Sequence, residues 1–257
     1  MKNRCTCIVS LLLVISVFFF SCGTDSRQSL SIRIMTYNLH HCEGEDGVYD
    51  VERIAAFMQE TGADIILCQE VDRGYSERSR FDLQPVMLKL ILGYNAFYGP
   101  NIDETYGNLI LSRFPIERAE NVPLPNPENK EPRGVIVSTI TVDGVPFSVL
   151  NTHLSAFSAV NREEQIAFLN DLIGKQEHPV FFGADFNTRP SQQLKPLLDG
   201  GVLVSTRHGI LGLGEGIDDI LVTADIKDYI TAGKVVENVY SDHPAYRMDL
   251  TIERTEK

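Results

Sequence analysis

Apolar residues along this chain fall into short runs of two kinds. "SIRIMTYNLH" alternates and is rich in β-branched residues, which predicts a strand ending near Asn38. "DVERIAAFMQETGA" places Val51, Ile54, Ala55, Phe57 and Met58 at helical spacing, with Asp50 as N-cap and Gly62 as the stop. "DIILCQE" predicts a short buried strand ending at Glu70, and "QPVMLKLILGY" a second amphipathic helix. "YNAFYGP", "YGNLILS" and "IERAENV" read as successive strands ahead of a proline-rich surface loop, "PLPNPENKEPRG". "GVIVSTITVDGVPFSVLNTHL" reads as a hairpin turning at Asp143-Gly144. "VNREEQIAFLNDLIGK" predicts a helix, "HPVFFGADF" a strand and "SQQLKPLLDG" a short helix, and "GIDDILVT" and "AYRMDLTI" are late strands. Hairpins mixed with crossover helices predict an α/β (α+β) fold of two packed sheets with helices outside. The run of strands without an intervening helix excludes a repeating strand–helix barrel.

The first segment does not belong to that core. "MKNRCTCIVSLLLVISVFFFSCG" has Lys2 and Arg4, then an apolar run, then a small residue before Cys22, the pattern of an export signal. The Ser-Cys-Gly junction resembles a bacterial lipoprotein cleavage site, which would make Cys22 the lipidated first residue. An uncleaved anchor or a plain secretory signal is the competing reading. The expected organisation is residues 1–22 as signal, 23–31 as a flexible tether and 32–253 as one domain, read as a monomer exported and lipid-anchored to the cell envelope.

Charge narrows the partners. The chain carries a formal −12, and removing the signal takes away Lys2, Arg4 and no acid. An acidic chain repels polyanions at long range, which disfavours a sequence-indifferent grip on long nucleic acid and leaves room for a locally basic or metal-charged cleft. Cys42 and Cys68 remain in the mature chain; a disulfide between them is an open reading, and neither has the spacing of a zinc site. "GLGEG" lacks the strand–loop–helix context of a phosphate cradle.

Polar residues fall where the buried runs stop. Asn38, Glu70, His153, Asp185 with Asn187, Asp218, and the adjacent pair Asp242 and His243 all lie at strand ends. Each has an ordinary structural reading: a turn residue for Asn38, an exposed acid for Glu70, a helix cap for Asp185 and Asn187, a core ring for His153, an arginine partner for Asp218. Converged, however, Glu70, Asp185, Asp218 and Asp242 would repel one another unless a cation or proton sat among them. An all-oxygen set with amides suits Mg²⁺ or Mn²⁺, and a hard ion beside two imidazoles suits phosphoester hydrolysis. His40 and His41 are candidate rim residues, His208 a candidate substrate contact, and "RGYSERSR" a candidate basic patch.

The strings "MTYNLH", "LCQEVD", "YGNLILSR", "EPRGVI", "NTHL", "GADFNTRP", "IDDILV" and "SDHPAY" together resemble the endonuclease/exonuclease/phosphatase superfamily over residues 32–252. The resemblance implies a four-layer sandwich of two mixed β-sheets flanked by helices. It implies Glu70 as principal metal ligand helped by Asn38 and Asp242, and Asp185 with Asn187 positioning water and phosphate. His153 would stabilise phosphate charge or protonate the leaving group. His243 would be the general base or face the phosphate, oriented by Asp218. Tyr106 and Arg133 would lie on the substrate side. The family pattern commonly has an aromatic where Asp219 stands, which leaves two aspartates competing for the histidine; spacing to "ILV" selects Asp218. The implied activity is hydrolysis of a small or lipid-linked phosphoester, with a nuclease or a non-catalytic binding module as alternatives.

Overall fold

The computed structural model describes residues 29–253, so the signal segment and Cys22 lie outside the described residues. One sheet has the order β11 (Ile230–Val236), β12 (Ala245–Glu253), β1 (Ser29–Asn38), β2 (Ile65–Asp72), β4 (Tyr106–Ser112), β3 (Asn95–Ile102). The other has the order β5 (Ile116–Pro123), β6 (Gly134–Val142), β7 (Val145–His153), β8 (Val180–Asp185), β10 (Asp218–Thr223), β9 (Leu203–Ser205). The helices are α1 (Val51–Thr61), α2 (Gln84–Leu92), α3 (Ala159–Ile173) and α4 (Lys195–Asp199). The inner faces of the two sheets share one apolar core, containing Ile34, Leu67, Ile136, Phe181 and Met248 among others. A second core packs α1 and α2 on one outer face, and a third packs α3 and α4 on the other. The result is the four-layer sandwich the sequence predicts.

Local chemistry accounts for the elements. Asp50 caps α1 by accepting the Arg53 N–H at 2.9 Å, and Gly62 ends it at φ 67°, a conformation that costs glycine little. Ser158 caps α3 in the same way through the Asn161 N–H at 2.9 Å. Leu30, Ile32 and Ile34 alternate inward along β1, as the period-2 pattern requires.

Topology decides where the polar strand ends go. Each sheet contains one parallel pair joined by a crossover helix: β1 with β2 through α1, and β7 with β8 through α3. Their C-terminal ends therefore share one edge of the molecule. β12 runs antiparallel to β1 and β10 antiparallel to β8, so both begin at that edge. Beneath it, polar side chains cross between the sheets. Gln69 Nε2 donates to Asn151 Oδ1 at 2.7 Å and to Thr36 Oγ1 at 3.1 Å, and Asn151 Nδ2 donates to the Cys68 carbonyl at 2.9 Å.

Several details depart from the sequence reading. β1 starts at Ser29, inside the stretch assigned to the tether, and Ser29 pairs with Glu253. β9 and β11 are absent from the periodicity reading. β9 has three residues, too few to show a period, and β11 is an edge strand with a register shift near Ala232 and a glycine inside it. Cys42 and Cys68 are both buried free thiols in the α1/α2 core, not a disulfide.

Gly183 marks the tightest approach of the sheets: a Cβ there would lie 2.4 Å from Leu67 Cδ1 and 3.3 Å from Thr36 Cβ. Gly183→Ala is expected to destabilise the fold by about 1–3 kcal/mol in urea unfolding, and Leu67→Val to recover part of that loss. Simple additivity of the two substitutions would show that the approach is not the constraint.

Candidate active site

Glu70 reaches the site through a distortion. Regular alternation would put Gln69 and Glu70 on opposite faces of β2. Between Cys68 and Val71 the pairing with β4 slips, so that Gln69 and Glu70 oppose one residue, Asn108. Glu70 sits there at φ 55°, left-handed for a non-glycine residue. Such a bulge re-aims a side chain, and the strain of about 1–3 kcal/mol persists only where surrounding structure imposes it. The redirected carboxylate accepts from Asn38 Nδ2 at 2.9 Å.

Asn38 is buried and fully committed. Its Nδ2 also donates to Asp185 Oδ2 at 3.1 Å, while its Oδ1 accepts the His40 N–H at 3.0 Å. Two acids on one side and an N–H on the other allow a single amide orientation. Asn38 thus holds Glu70 and Asp185 together with its nitrogen.

Asp185 Oδ2 is the meeting point. His153 Nε2 approaches it at 3.3 Å and His243 Nε2 at 3.8 Å, and its other oxygen accepts the Asn187 N–H at 2.9 Å. Burial and the neighbouring Asp218 charge push the Asp185 carboxyl up to about 7. Asp218 lies directly opposite it across β8 and β10. Asp218 Oδ2 is 2.9 Å from His243 Nδ1, so Asp218 is the aspartate that orients this ring. Burial lowers His243, but the Asp218 hydrogen bond and the charges of Asp218, Asp185 and Asp242 outweigh it and raise the ring to about 9. Asp219 points elsewhere: it accepts from Ser205 Oγ and from the Arg207 N–H, and fastens the π-turn Thr206–Ile210.

His153 is buried, and its Nδ1 lies 2.9 Å from Arg133 Nη1. Burial and the Arg133 and His243 charges hold this ring well below the ordinary imidazole range. Arg133 also pairs with Glu131 at 3.0 Å and lies against Tyr106. Asn187, at φ 50°, is anchored by Nδ2 donating to the Leu154 carbonyl at 3.0 Å.

Glu70, Tyr106, Arg133, His153, Asp185, Asn187 and His243 all line one cavity of about 210 Å³, together with Glu131, Tyr75, Arg78, Ile102, Ala156 and Phe157. Of the aromatic part of this wall, sequence reasoning named Tyr106 and missed Tyr75 and Phe157. Arg78 lies over the Tyr75 and Tyr106 rings at 4.5 and 5.5 Å and is anchored by two bonds to buried Asp72. A larger groove of about 640 Å³ beside α3 contains none of the converging groups.

Other expected residues fall outside the cavity lining. Asp242 is exposed, 3.4 Å from Ser241 Oγ and 4.0 Å from His40 Nδ1, and its charge still acts on His243. His41 is buried under a left-handed turn and so is not a rim residue. His208 faces Glu215 at 3.8 Å. In "RGYSERSR", Arg73 lies 3.8 Å from Glu104, Arg78 is bonded to buried Asp72, and Arg80 lies over Tyr49, while all three arginines remain exposed.

The donor set fits a hard divalent cation. Asp185, Asp218 and His243 each offer an atom within 4.8 Å of the others, and Asp218 Oδ1 is buried without a hydrogen-bond partner. The contact between His243 Nδ1 and Asp218 is, however, accounted for by a proton. Glu70 lines the same cavity and accepts from Asn38 Nδ2.

The raised groups give a pH dependence. A histidine at about 9 and a carboxyl at about 7 both bind protons more tightly folded than unfolded, where they titrate near ~6.5 and ~3.9. Their stabilisation is full below the unfolded values and is lost as pH rises through the folded ones. In EDTA, the melting temperature is expected to fall from about pH 4 to pH 9, the carboxyl's share being lost by about pH 7 and the ring's between about pH 6.5 and pH 9. In Asp218→Asn the alkaline part of that fall should shrink. A wild-type melting curve flat over this range would contradict the proton-sharing arrangement.

Sequence and fold comparisons agree with this geometry. A model of the Endonuclease/Exonuclease/phosphatase family matches residues 35–243. The uncharacterized protein YbhP of Escherichia coli (strain K12) is 25% identical over 190 residues, 67% of this chain and 73% of YbhP. An endonuclease/exonuclease/phosphatase from Beutenbergia cavernae DSM 12333 superposes with a TM-score of 0.73 at 25% identity, covering 87% of this chain and 72% of that one. The Bacteroides thetaiotaomicron VPI-5482 mannosyl-6-phosphatase Bt3783 gives a TM-score of 0.70 at 17% identity, covering 84% and 98%. With the matched segment running from the middle of β1 to His243 itself, the chain belongs to the endonuclease/exonuclease/phosphatase family.

Proposed function

We propose that the chain is a Mg²⁺- or Mn²⁺-dependent hydrolase that attacks a small phosphoester with water, acting outside the cytoplasm and tethered through a lipidated Cys22. The observation that carries this reading is the convergence of His153, His243 and Asn38 on the single oxygen Asp185 Oδ2. A carboxyl titrating near neutrality between a charged and a neutral imidazole forms a set suited to accepting a proton and stabilising charge at a phosphoryl centre.

In this reading Glu70, supported by Asn38, and Asp242 would hold the cation, whose chemistry is to neutralise phosphoryl and leaving-oxygen charge. Asp185, at about 7, accepts a proton from the attacking water, which Asn187 helps to position. His243, at about 9, is charged at neutral pH and faces the phosphate as a cationic hydrogen-bond donor; this state does not suit it as a base. Asp218 holds that ring and its proton. His153, Arg133 and Tyr106 complete the wall on the substrate side.

The small cavity and the acidic surface favour a small substrate. The bonding of Arg78 to buried Asp72 weakens the central candidate for a duplex-gripping patch and counts against the nuclease reading. The name of the Bacteroides fold neighbour makes sugar phosphates the first substrates to try.

The deciding experiment is a panel assayed with and without Mg²⁺: sugar phosphate, nitrophenyl diester, phosphoinositide, sphingomyelin, RNA and plasmid. Magnesium-dependent release from a small ester is expected, with little nicking of plasmid at low salt. Asp185→Ala and His243→Ala should each lower turnover about 100-fold or more while the folded protein persists by thermal melting. Full activity in a folded Asp185→Ala protein would refute the assignment, and inactivity of the wild type across the panel would revive the binding-module reading.

A further inference from the structure

We propose that Arg133 is a positioning residue for His153: it fixes that ring as the neutral Nε2–H tautomer, so that His153 donates a hydrogen bond to a phosphoryl oxygen and does not carry a proton to the leaving group. The tautomer part stands on the geometry alone; the phosphoryl part rests on the proposed hydrolase reading.

A guanidinium group has only donors. Across the 2.9 Å between Arg133 Nη1 and His153 Nδ1, the proton therefore belongs to the arginine, and Nδ1 is the bare acceptor. A ring protonated at both nitrogens would set two N–H groups head to head beside a permanent cation. The neutral ring then carries its hydrogen on Nε2. That nitrogen faces the cavity, 3.3 Å from Asp185 Oδ2, where a phosphoryl oxygen would meet the converging groups.

The arginine is built in for this task. It precedes β6 while His153 ends β7, and the two strands pair up to Val135 with Thr152, so the hairpin itself brings the two residues together. Arg133 is 4% exposed and is pinned by Glu131 at 3.0 Å and by Tyr106. An arginine this enclosed, with one nitrogen spent on an imidazole, is poorly arranged to grip a substrate phosphate directly. Burial and the arginine charge also keep the ring uncharged.

The test is long-range ¹H–¹⁵N correlation of the imidazole nitrogens in the full-length ¹⁵N-labelled chain, at neutral pH in EDTA. His153 is expected to show a bare Nδ1 and a protonated Nε2 in the wild type and in Arg133→Lys, which keeps a donor. In Arg133→Met the two signals should move toward the tautomer average. A wild-type ring protonated at Nδ1 or at both nitrogens overturns the proposal, as does an Arg133→Met spectrum identical to wild type. If the methionine variant fails to fold, the wild-type and lysine spectra decide. Kinetics on the panel substrate supply the second arm. Arg133→Met should lower kcat about 100-fold with KM within about threefold, as for loss of a donor to developing charge. His153→Gln, whose amide can donate but not titrate, should retain more kcat than His153→Ala. A raised KM at unchanged kcat would make Arg133 a substrate grip and overturn the assignment. Absence of hydrolysis in the wild type would defeat the hydrolase reading while leaving the spectroscopic result intact.

Discussion

Burying Asp185 directly opposite Asp218 is the constraint on which the site depends. Like charges facing each other across neighbouring antiparallel strands destabilise a sheet, and desolvation adds to the cost. The fold tolerates the pair because His243 enters from the other sheet, bonds Asp218 and approaches Asp185. That ring can arrive only if the last strand returns beside the first, with its opening loop at the same edge as the end of β8. Ser241 fixes the loop by donating from Oγ to the Asn38 carbonyl at 2.7 Å. The electrostatics of two neighbouring acids thus couple the start of the chain to its end.

The same logic explains the polar layer beneath the cavity. The sheet interface is apolar through most of its depth and changes character at Thr36, Gln69 and Asn151. Buried amides rigidify a structure when their partners are supplied, and these bridge the sheets one layer below Asn38 and Glu70. Glu70 can hold a left-handed backbone because Gln69, its neighbour in the bulge, is fixed by the opposite sheet. Strain at the site and satisfaction beneath it are two sides of one arrangement.

Much of this was legible in the sequence, for identifiable reasons. Asp50 and Gly62 announce the ends of α1 because capping and left-handed termination are local chemistry. Asp143-Gly144 announces the hairpin for the same reason. Asn38, Glu70, His153, Asp185 and His243 could be read as one set because polar residues at the ends of apolar strands have few other uses. What stayed hidden depends on long-range geometry. The stack of Arg78 on Tyr75 and Tyr106 joins a loop to a strand that no periodicity connects. His41 looks like a rim residue beside Asn38, but consecutive left-handed residues at His40, His41 and Cys42 turn it inward. Adjacent residues Asp242 and His243 differ in burial, one exposed and the other lining the cavity, because a loop imposes no regular alternation.

The two histidines, similar in sequence, are driven in opposite directions by what stands behind them. A carboxylate behind His243 raises it against burial and keeps it charged; burial, with a guanidinium behind it, lowers His153 and keeps it neutral. Groups pushed apart in this way can take different roles at the same pH. Here one ring offers charge and the other a directed N–H, both beside a carboxyl close to its own titration point. An acidic exterior sends polyanions away at long range, while at short range the cavity sets Arg78, Arg133 and a charged His243 beside Glu70, Glu131 and Asp185.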